Sequence, residues 1–174
     1  MRTPIRRSSL VRLLCERRAA GAELVEFAFV LPMLLTLLVG VFWIGRAFNI
    51  YQTITRAARE GTRVAVTRSC ALCGNAIPTN ATVRTAVTNA LQASSLDPTK
   101  VTNNFSGSCP AGQSCDCPSG DICIIRDVPL NSSTPQEFGV SVSFSYPFNF
   151  NLPFTSQNLT TINIPTQVQM REEN

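Results

Sequence analysis

The residues that could carry chemistry in this chain are its cysteines and a few carboxylates, because it contains no histidine. Histidine is the commonest general base and a frequent zinc ligand, so its absence argues against hydrolase triads and most metalloenzyme sites. The sequence also contains no nucleotide-binding loop, nucleophile elbow or HExxH motif. We therefore expect a protein that is not an enzyme and has no catalytic residues, no cofactor and no metal.

Six of the seven cysteines lie in the C-terminal part of the chain, and the seventh, Cys15, stands among arginines near its start. An even set in a segment rich in Gly, Ser and Pro is typical of a disulfide framework in an oxidising compartment. The candidates are Cys70, Cys73, Cys109, Cys115, Cys117 and Cys123. Six cysteines allow fifteen pairings, so the connectivity stays open. Reduced cysteines buried as small apolar side chains are the alternative.

Two cysteine motifs have spacings that also occur in functional sites. The CALC motif, Cys70–Cys73, has redox spacing but lacks the strand-turn-helix context of a thioredoxin-like site, which favours a structural disulfide. The segment Cys109–Cys123 offers four thiolates that could bind zinc, whereas an oxidising compartment favours a knotted disulfide loop. Asp116 and Asp121 do not form the ligand series of a calcium loop.

The motif GAELVEF, Gly21 to Phe27, precedes an apolar run and contains an acid that needs a partner. A carboxylate near the bilayer centre costs roughly 2.5–3.5 kcal/mol, and less near its edge. If the chain were cut after Gly21, the new amine of Ala22 would lie four residues before Glu26, one helical turn away. The two charges would then neutralise each other, within one helix or between neighbouring helices.

The elements that would position these residues begin with a membrane span. Phe27 to Gly45 is a run of nineteen uncharged residues, enough to cross about 30 Å of hydrocarbon as a helix. Pro32 lies in its first turns, and Trp43 lies near the far boundary, where an indole favours the interface. A cleaved signal peptide is the competing interpretation, but the run is too long and no small-x-small site closes it.

Positive charge is concentrated ahead of this span, since six of the fifteen basic residues lie within the first eighteen positions. This favours a cytoplasmic N-terminus. From Ala19 onward the chain has nine basic and ten acidic residues, so its sequence predicts no basic surface for binding a phosphate backbone. We expect no nucleic-acid partner.

Beyond the span the helical pattern continues, so that one helix is predicted from about Ala22 to Arg68. Small or apolar residues recur in steps of four and three and form a helix-packing stripe. Its members are Ala47, Tyr51, Ile54, Ala58, Gly61 and Ala65. One interpretation is that the stripe packs on the chain's own soluble domain; the small residues Ala57, Ala58 and Gly61 also permit close approach of a partner helix.

A small α+β domain is predicted after the long helix. Pro78 to Leu96 reads as a second helix with Thr79 or Asn80 as its cap, and its apolar face carries Val83, Val87 and Leu91. In two later segments, Val140–Tyr146 and Ile162–Met170, apolar and polar residues alternate with period two, which predicts β-strands. Pro165 in the second segment indicates that this strand lies at the edge of the sheet. With Ile122–Val128 as a third strand, we predict a short antiparallel sheet against a helix. The predicted organisation is 1–21 basic leader, 22–68 membrane and stalk helix, and 69–174 disulfide-rich domain.

From Arg17 to about Val66 the sequence resembles the prepilin family, and specifically the TadE-like pseudopilins or minor pilins of Flp/Tad pilus systems. In that family a basic leader ends in glycine, and the fifth residue of the mature chain is glutamate followed by an aromatic residue. Gly21, Glu26 and Phe27 match those positions. The segments Gly45–Phe48 and Ala58–Gly61 also look like the family's anchor and stalk.

The resemblance implies cleavage by a prepilin peptidase between Gly21 and Ala22 and a part in assembling an adhesive Flp pilus. It implies a single-pass protein of the bacterial inner membrane with a periplasmic C-terminal domain, whose partners are lipid, the peptidase, other pilins and Tad assembly-platform proteins. Cleavage there would also remove Cys15 and leave six cysteines for pairing. The alternative is an uncleaved single-pass anchor that displays a disulfide-rich binding or adhesion module.

Overall fold

The structure, a computed structural model, describes residues 8–68, 76–103, 105–132, 134–151 and 158–172. Within these ranges two helices precede four strands. They are α1 (Ser8–Val66), α2 (Asn80–Ala93), β1 (Ser114–Asp116), β2 (Cys123–Pro129), β3 (Phe138–Asn151) and β4 (Asn158–Arg171). A short 3-10 helix, Pro98–Lys100, follows α2. The strands form one antiparallel sheet in the order β1-β2-β3-β4, which confirms the predicted α+β class.

The long helix α1 is continuous over 59 residues and passes through Pro32 without ending. It begins earlier than the predicted start near Ala22, because the leader is rich in Arg, Leu and Ala, which are strong helix formers. The chain divides into two compact units between Gly45 and Arg46, so α1 contributes to both.

The second helix, α2, is capped and oriented as its sequence predicts. Thr79 is the N-cap, and its hydroxyl accepts a hydrogen bond from the backbone N–H of Thr82. The three apolar residues at positions 83, 87 and 91 are fully buried, since steps of four place them on one face. The helix ends where Ser95 adopts a left-handed conformation with φ of 60°, a geometry typical of helix C-termini.

The central strand β3 presents alternate residues to the helices. Val140, Val142, Phe144 and Tyr146 are buried on that face. The strand β4 lies at the edge of the sheet, as Pro165 predicts. Pro165 pairs with Ser145, whose backbone N–H and C=O bond to Thr102, so the proline belongs to a non-hydrogen-bonded pair. Its nitrogen therefore faces the free edge, where no ladder bond is lost.

The opposite face of β3 is also buried. Its residues Ser141, Ser143 and Ser145 are all shielded from solvent. Cys123 and Ile125 of β2 pair with Ser143 and Ser141 and are buried on the same face. Thr102, after the 3-10 helix, lies beside β3 in the plane of the sheet and forms an isolated antiparallel bridge with Ser145. Both faces of β3 are thus buried, which the apolar-polar alternation alone does not predict, whereas Pro165, Gln167 and Gln169 of β4, which pair with these serines, are exposed.

Candidate functional site

The motif Gly21–Phe27 lies inside α1, with the Gly21–Ala22 bond in helical conformation. Gly21, Glu23, Glu26 and Phe27 are exposed. A Cβ added at Gly21 would meet no atom within 4 Å. Because helical residues four apart lie on one side, the backbone nitrogen of Ala22 and the side chain of Glu26 share a face of α1.

The apolar run Phe27–Gly45 keeps its large side chains on the surface of α1. Phe29, Met33, Ile44 and most other large apolar residues of the run are more than half exposed. The hydroxyl of Thr36 donates to the carbonyl of Met33 at 2.8 Å, so this polar group is satisfied within the helix. Length and composition make Glu23–Val66 a candidate membrane-crossing helix within the described residues. Such a helix fits a single-pass membrane anchor.

The predicted packing stripe lies in the part of α1 that follows Arg46. Ile54, Ala58, Gly61 and Ala65 are buried, whereas Ala47 is only partly buried and Tyr51 is 46% exposed. One turn before Ile54 the residue that packs against the core is Ile50, whereas the predicted stripe placed Tyr51 there. Ala57 is also buried, so the buried face of α1 is wider than a single row of residues.

Small residues on α1 allow α2 to approach closely. A Cβ built on Gly61 would lie 2.3 Å from Cγ2 of Val87, which is too close for any real contact. Val87 is β-branched and restricted at χ1, so it has little freedom to move away. Gly61 is therefore required by helix packing within the chain, and the helix that approaches α1 where Gly61 lacks a side chain is α2.

A polar cluster, which we call the Arg126 cluster, joins the end of α1 to α2 and the sheet. The Arg126 guanidinium donates to the carbonyls of Ala65 and Pro78, at 3.5 and 2.7 Å, and to the side chain of Asn80, at 3.0 Å. The Asn80 amide in turn donates to the Asp116 carboxylate at 2.9 Å. Sequence reasoning missed this cluster, because its members are far apart along the chain and form no motif.

The cluster continues through Arg84 on α2. Its Nη2 lies 2.7 Å from Oδ1 of Asp116, and its Nε lies 3.1 Å from Oδ2 of Asp121 without making a hydrogen bond. The hydrogen bond from Arg84, together with that from Asn80, lowers the pKa of Asp116, while partial burial opposes this shift. The same pairing raises the pKa of Arg84. The cluster is suited to holding elements together rather than to transferring protons.

Four of the predicted disulfide cysteines form two bonds, Cys109–Cys115 and Cys117–Cys123. Each bond joins cysteines six positions apart, and the two loops follow one another along the chain. The expectation of a knotted loop is therefore wrong, because consecutive loops do not interlock. Cys70 and Cys73 lie outside the described residues, as does the side chain of Cys15.

The described residues contain no group of three or more Cys, Asp or Glu that could hold a metal ion. Four of the thiols that could have served as ligands are used in disulfides. The two carboxylates of the disulfide segment, Asp116 and Asp121, both lie against Arg84.

A family model described as TadE-like protein matches residues 21–63, the motif, the apolar run and most of the stripe. The resemblance seen in the sequence is thereby confirmed for this segment. No curated relative and no solved structure matches the chain.

Proposed function

We propose that this chain, with its TadE-like segment at residues 21–63, is a membrane-anchored pseudopilin or minor pilin that takes part in assembling a Flp/Tad-type pilus. The family match supports a pilus-related protein with membrane and pilin partners. The observation that carries the finer proposal is the order of features within one helix. A glycine and a glutamate five positions apart stand directly before an exposed apolar run, and a small-residue face follows it.

The proposed maturation step is hydrolysis of the Gly21–Ala22 peptide bond by a prepilin peptidase, which releases residues 1–21 and a new amine on Ala22. In α1 this bond is helical, so the helix must open before a peptidase can bind it in extended form. Glycine destabilises a helix interior by roughly 1 kcal/mol relative to alanine. Gly21 therefore marks a place where opening of α1 is favoured.

The first test compares Gly21→Ala with Gly40→Ala in cells that contain the peptidase. Added methyl groups meet no atom within 4 Å at either position, so packing does not distinguish the two variants. Intact mass spectrometry of the extracted protein should find Ala22 as the N-terminus of the wild type and of Gly40→Ala. Gly21→Ala should be processed more slowly, by roughly fivefold from the helix-opening term alone. An intact leader on the wild-type protein would overturn the proposal.

The proposed role of Glu26 is to neutralise the new amine of Ala22 in a low-dielectric setting. Glu26 is exposed on α1 beside Phe27, at the start of the apolar run, and the amine would lie one turn before it. Leaving this carboxylate unpaired near hydrocarbon is unfavourable by up to about 2.5–3.5 kcal/mol, so pairing favours a defined arrangement of mature chains.

The second test compares Glu26→Gln with Glu23→Gln. Both side chains are exposed and both lose one charge, but only Glu26 is four residues from Ala22. We expect Glu26→Gln to be cleaved normally and to lower the yield of sheared pili, while Glu23→Gln retains it. Equal pilus yield from both variants would contradict the pairing role.

We further propose that the segment after Arg68 is periplasmic and that the mature protein has no enzymatic activity. The two disulfides support an oxidising compartment for Cys109–Cys123. The same two stapled loops favour the second candidate function, an uncleaved anchor that displays a binding or adhesion module. That candidate predicts the same chain mass with and without the peptidase.

A further inference from the structure

A polar groove of about 350 Å³ lies beside the part of α1 that follows the apolar run. Its walls come from three elements: α1, the turn and 3-10 helix after α2, and the late part of β3. The charged residues in the lining are Arg46, Asp97 and Lys100, and Tyr146 lines it from β3. Arg46 lies within the TadE-like segment, but neither the pilin proposal nor the Arg126 cluster assigns a role to the side chain of any of these four residues.

The lining is suited to a phosphate group. Two cations face one carboxylate, so the groove carries a net positive charge. The Asp97 carboxylate is engaged by the Thr99 backbone N–H at 3.0 Å and by its hydroxyl at 2.7 Å, and these bonds lower the pKa of Asp97. Its other oxygen lies 4.0 Å from Nζ of Lys100, a loose ion pair that leaves the ammonium donors available to an anion.

A buried hydroxyl adds a directional donor to the groove. Tyr146 is only 6% exposed, and its hydroxyl oxygen accepts a bond from the Asp97 backbone N–H at 3.2 Å. A phenol that accepts through oxygen still carries a hydrogen to donate. Phosphate oxygens are strong acceptors of such bonds and of bonds from Arg and Lys.

The position of Arg46 indicates which source of phosphate lies near the groove. Arg46 is the first charged residue after Phe27–Gly45, so a helix that spans the bilayer with this run places Arg46 among the lipid headgroups. Tyr51 is exposed within the next two turns, and tyrosine side chains favour the same zone. We propose that the groove binds the phosphate of an anionic phospholipid in the adjoining leaflet. The proposal rests on membrane insertion and is independent of leader cleavage and pilus assembly.

The experiment uses Lys100, the only lysine in the chain. The full-length protein is placed in nanodiscs of phosphatidylcholine, with or without phosphatidylglycerol, and acetylation of Lys100 is followed by peptide mass spectrometry. Phosphatidylglycerol should slow acetylation about fivefold, which corresponds to about 1 kcal/mol for one cation near an anionic headgroup. Arg46→Gln should remove most of this protection. Arg59→Gln, an exposed change on the same helix outside the groove, should retain it.

The other outcomes count against the proposal. Equal acetylation rates in both kinds of nanodisc would exclude a bound headgroup. Protection that persists in Arg46→Gln would indicate a general surface potential instead of a groove. Protection by inorganic phosphate in phosphatidylcholine nanodiscs, without an effect of phosphatidylglycerol, would assign the groove to a free anion and overturn the lipid source.

Discussion

The two parts of α1 on either side of Arg46 follow opposite packing rules. From Phe27 to Gly45 the helix carries large apolar side chains that stay exposed, and from Ile54 to Ala65 it carries mostly small ones that are buried. Large side chains suit a helix surrounded by lipid, because hydrocarbon fills the space between them. Small side chains suit a helix that must approach another backbone. The size of the side chains along α1 thus indicates whether each part is suited to lipid or to packing against another helix.

The largest expected effect comes from replacing an isoleucine by alanine in each of the two parts of α1. Ile54 is fully buried and Ile44 is 72% exposed. We expect Ile54→Ala to destabilise the unit that begins at Arg46 by about 2–5 kcal/mol, because it removes buried apolar contacts and leaves a cavity. Ile44→Ala should change that stability by less than about 0.5 kcal/mol. Urea unfolding of the full chain in micelles, followed by near-ultraviolet circular dichroism, measures both.

A smaller effect separates two glycines of α1. An added Cβ would clash with Val87 at Gly61 but would meet no atom within 4 Å at Gly45. Gly61→Ala should destabilise the packed unit by about 1–3 kcal/mol through overpacking, partly offset by the better helix propensity of alanine. Gly45→Ala should not destabilise the unit and should raise its stability by at most about 1 kcal/mol in the same unfolding assay, because only the better helix propensity of alanine acts there. A neutral Gly61→Ala would mean that α1 and α2 separate easily and would weaken the contrast.

The two parts of α1 also differ in how far their surroundings follow from sequence. For Phe27–Gly45, composition alone predicts an apolar helix, because every side of the helix is apolar. For the later part, steps of four and three predict that Ile54, Ala58, Gly61 and Ala65 share a face, and all four are buried. The pattern does not distinguish Tyr51 from Ile50, since both are apolar enough to pack and lie one position apart.

Contacts between residues far apart along the chain could not be predicted from the sequence. Arg126 reaches the carbonyl of Ala65 across 61 positions, and Asn80 reaches Asp116 across 36. Neither pair has a local signature, because the pairing depends on where the sheet brings β1 and β2. The disulfides present the same problem, since fifteen pairings were open and only the fold selects Cys109–Cys115 and Cys117–Cys123. Burial of Ser141 likewise depends on neighbours that the sheet brings together: Ile125 of β2 pairs with it, and the Gln167 amide of β4 donates to its hydroxyl.

The smallest expected effect is a loss of stability at acidic pH in the unit that begins at Arg46. The pKa of Asp116 is lowered in the fold by its hydrogen bonds from Arg84 and Asn80. A carboxyl with a depressed folded pKa contributes stability above its unfolded pKa, about 3.9, and this contribution is lost as pH falls through the folded pKa. Since the Asp116 side chain is 38% exposed, solvent screening limits the contribution to about 1 kcal/mol or less.

Asp116→Asn should therefore reduce the free energy of unfolding near pH 7 and should reduce the acid-induced loss of stability below about pH 4. The matched control is Asp121→Asn, because Asp121 also lies against Arg84 but makes no hydrogen bond to it. Its Oδ1 accepts from the Ile122 backbone N–H, a bond that asparagine retains. Urea midpoints measured between about pH 3 and pH 7 should show the larger change for Asp116→Asn. Equal changes would mean that Arg84 acts only as a nearby charge, and that the hydrogen bonds joining α2 to the sheet contribute little.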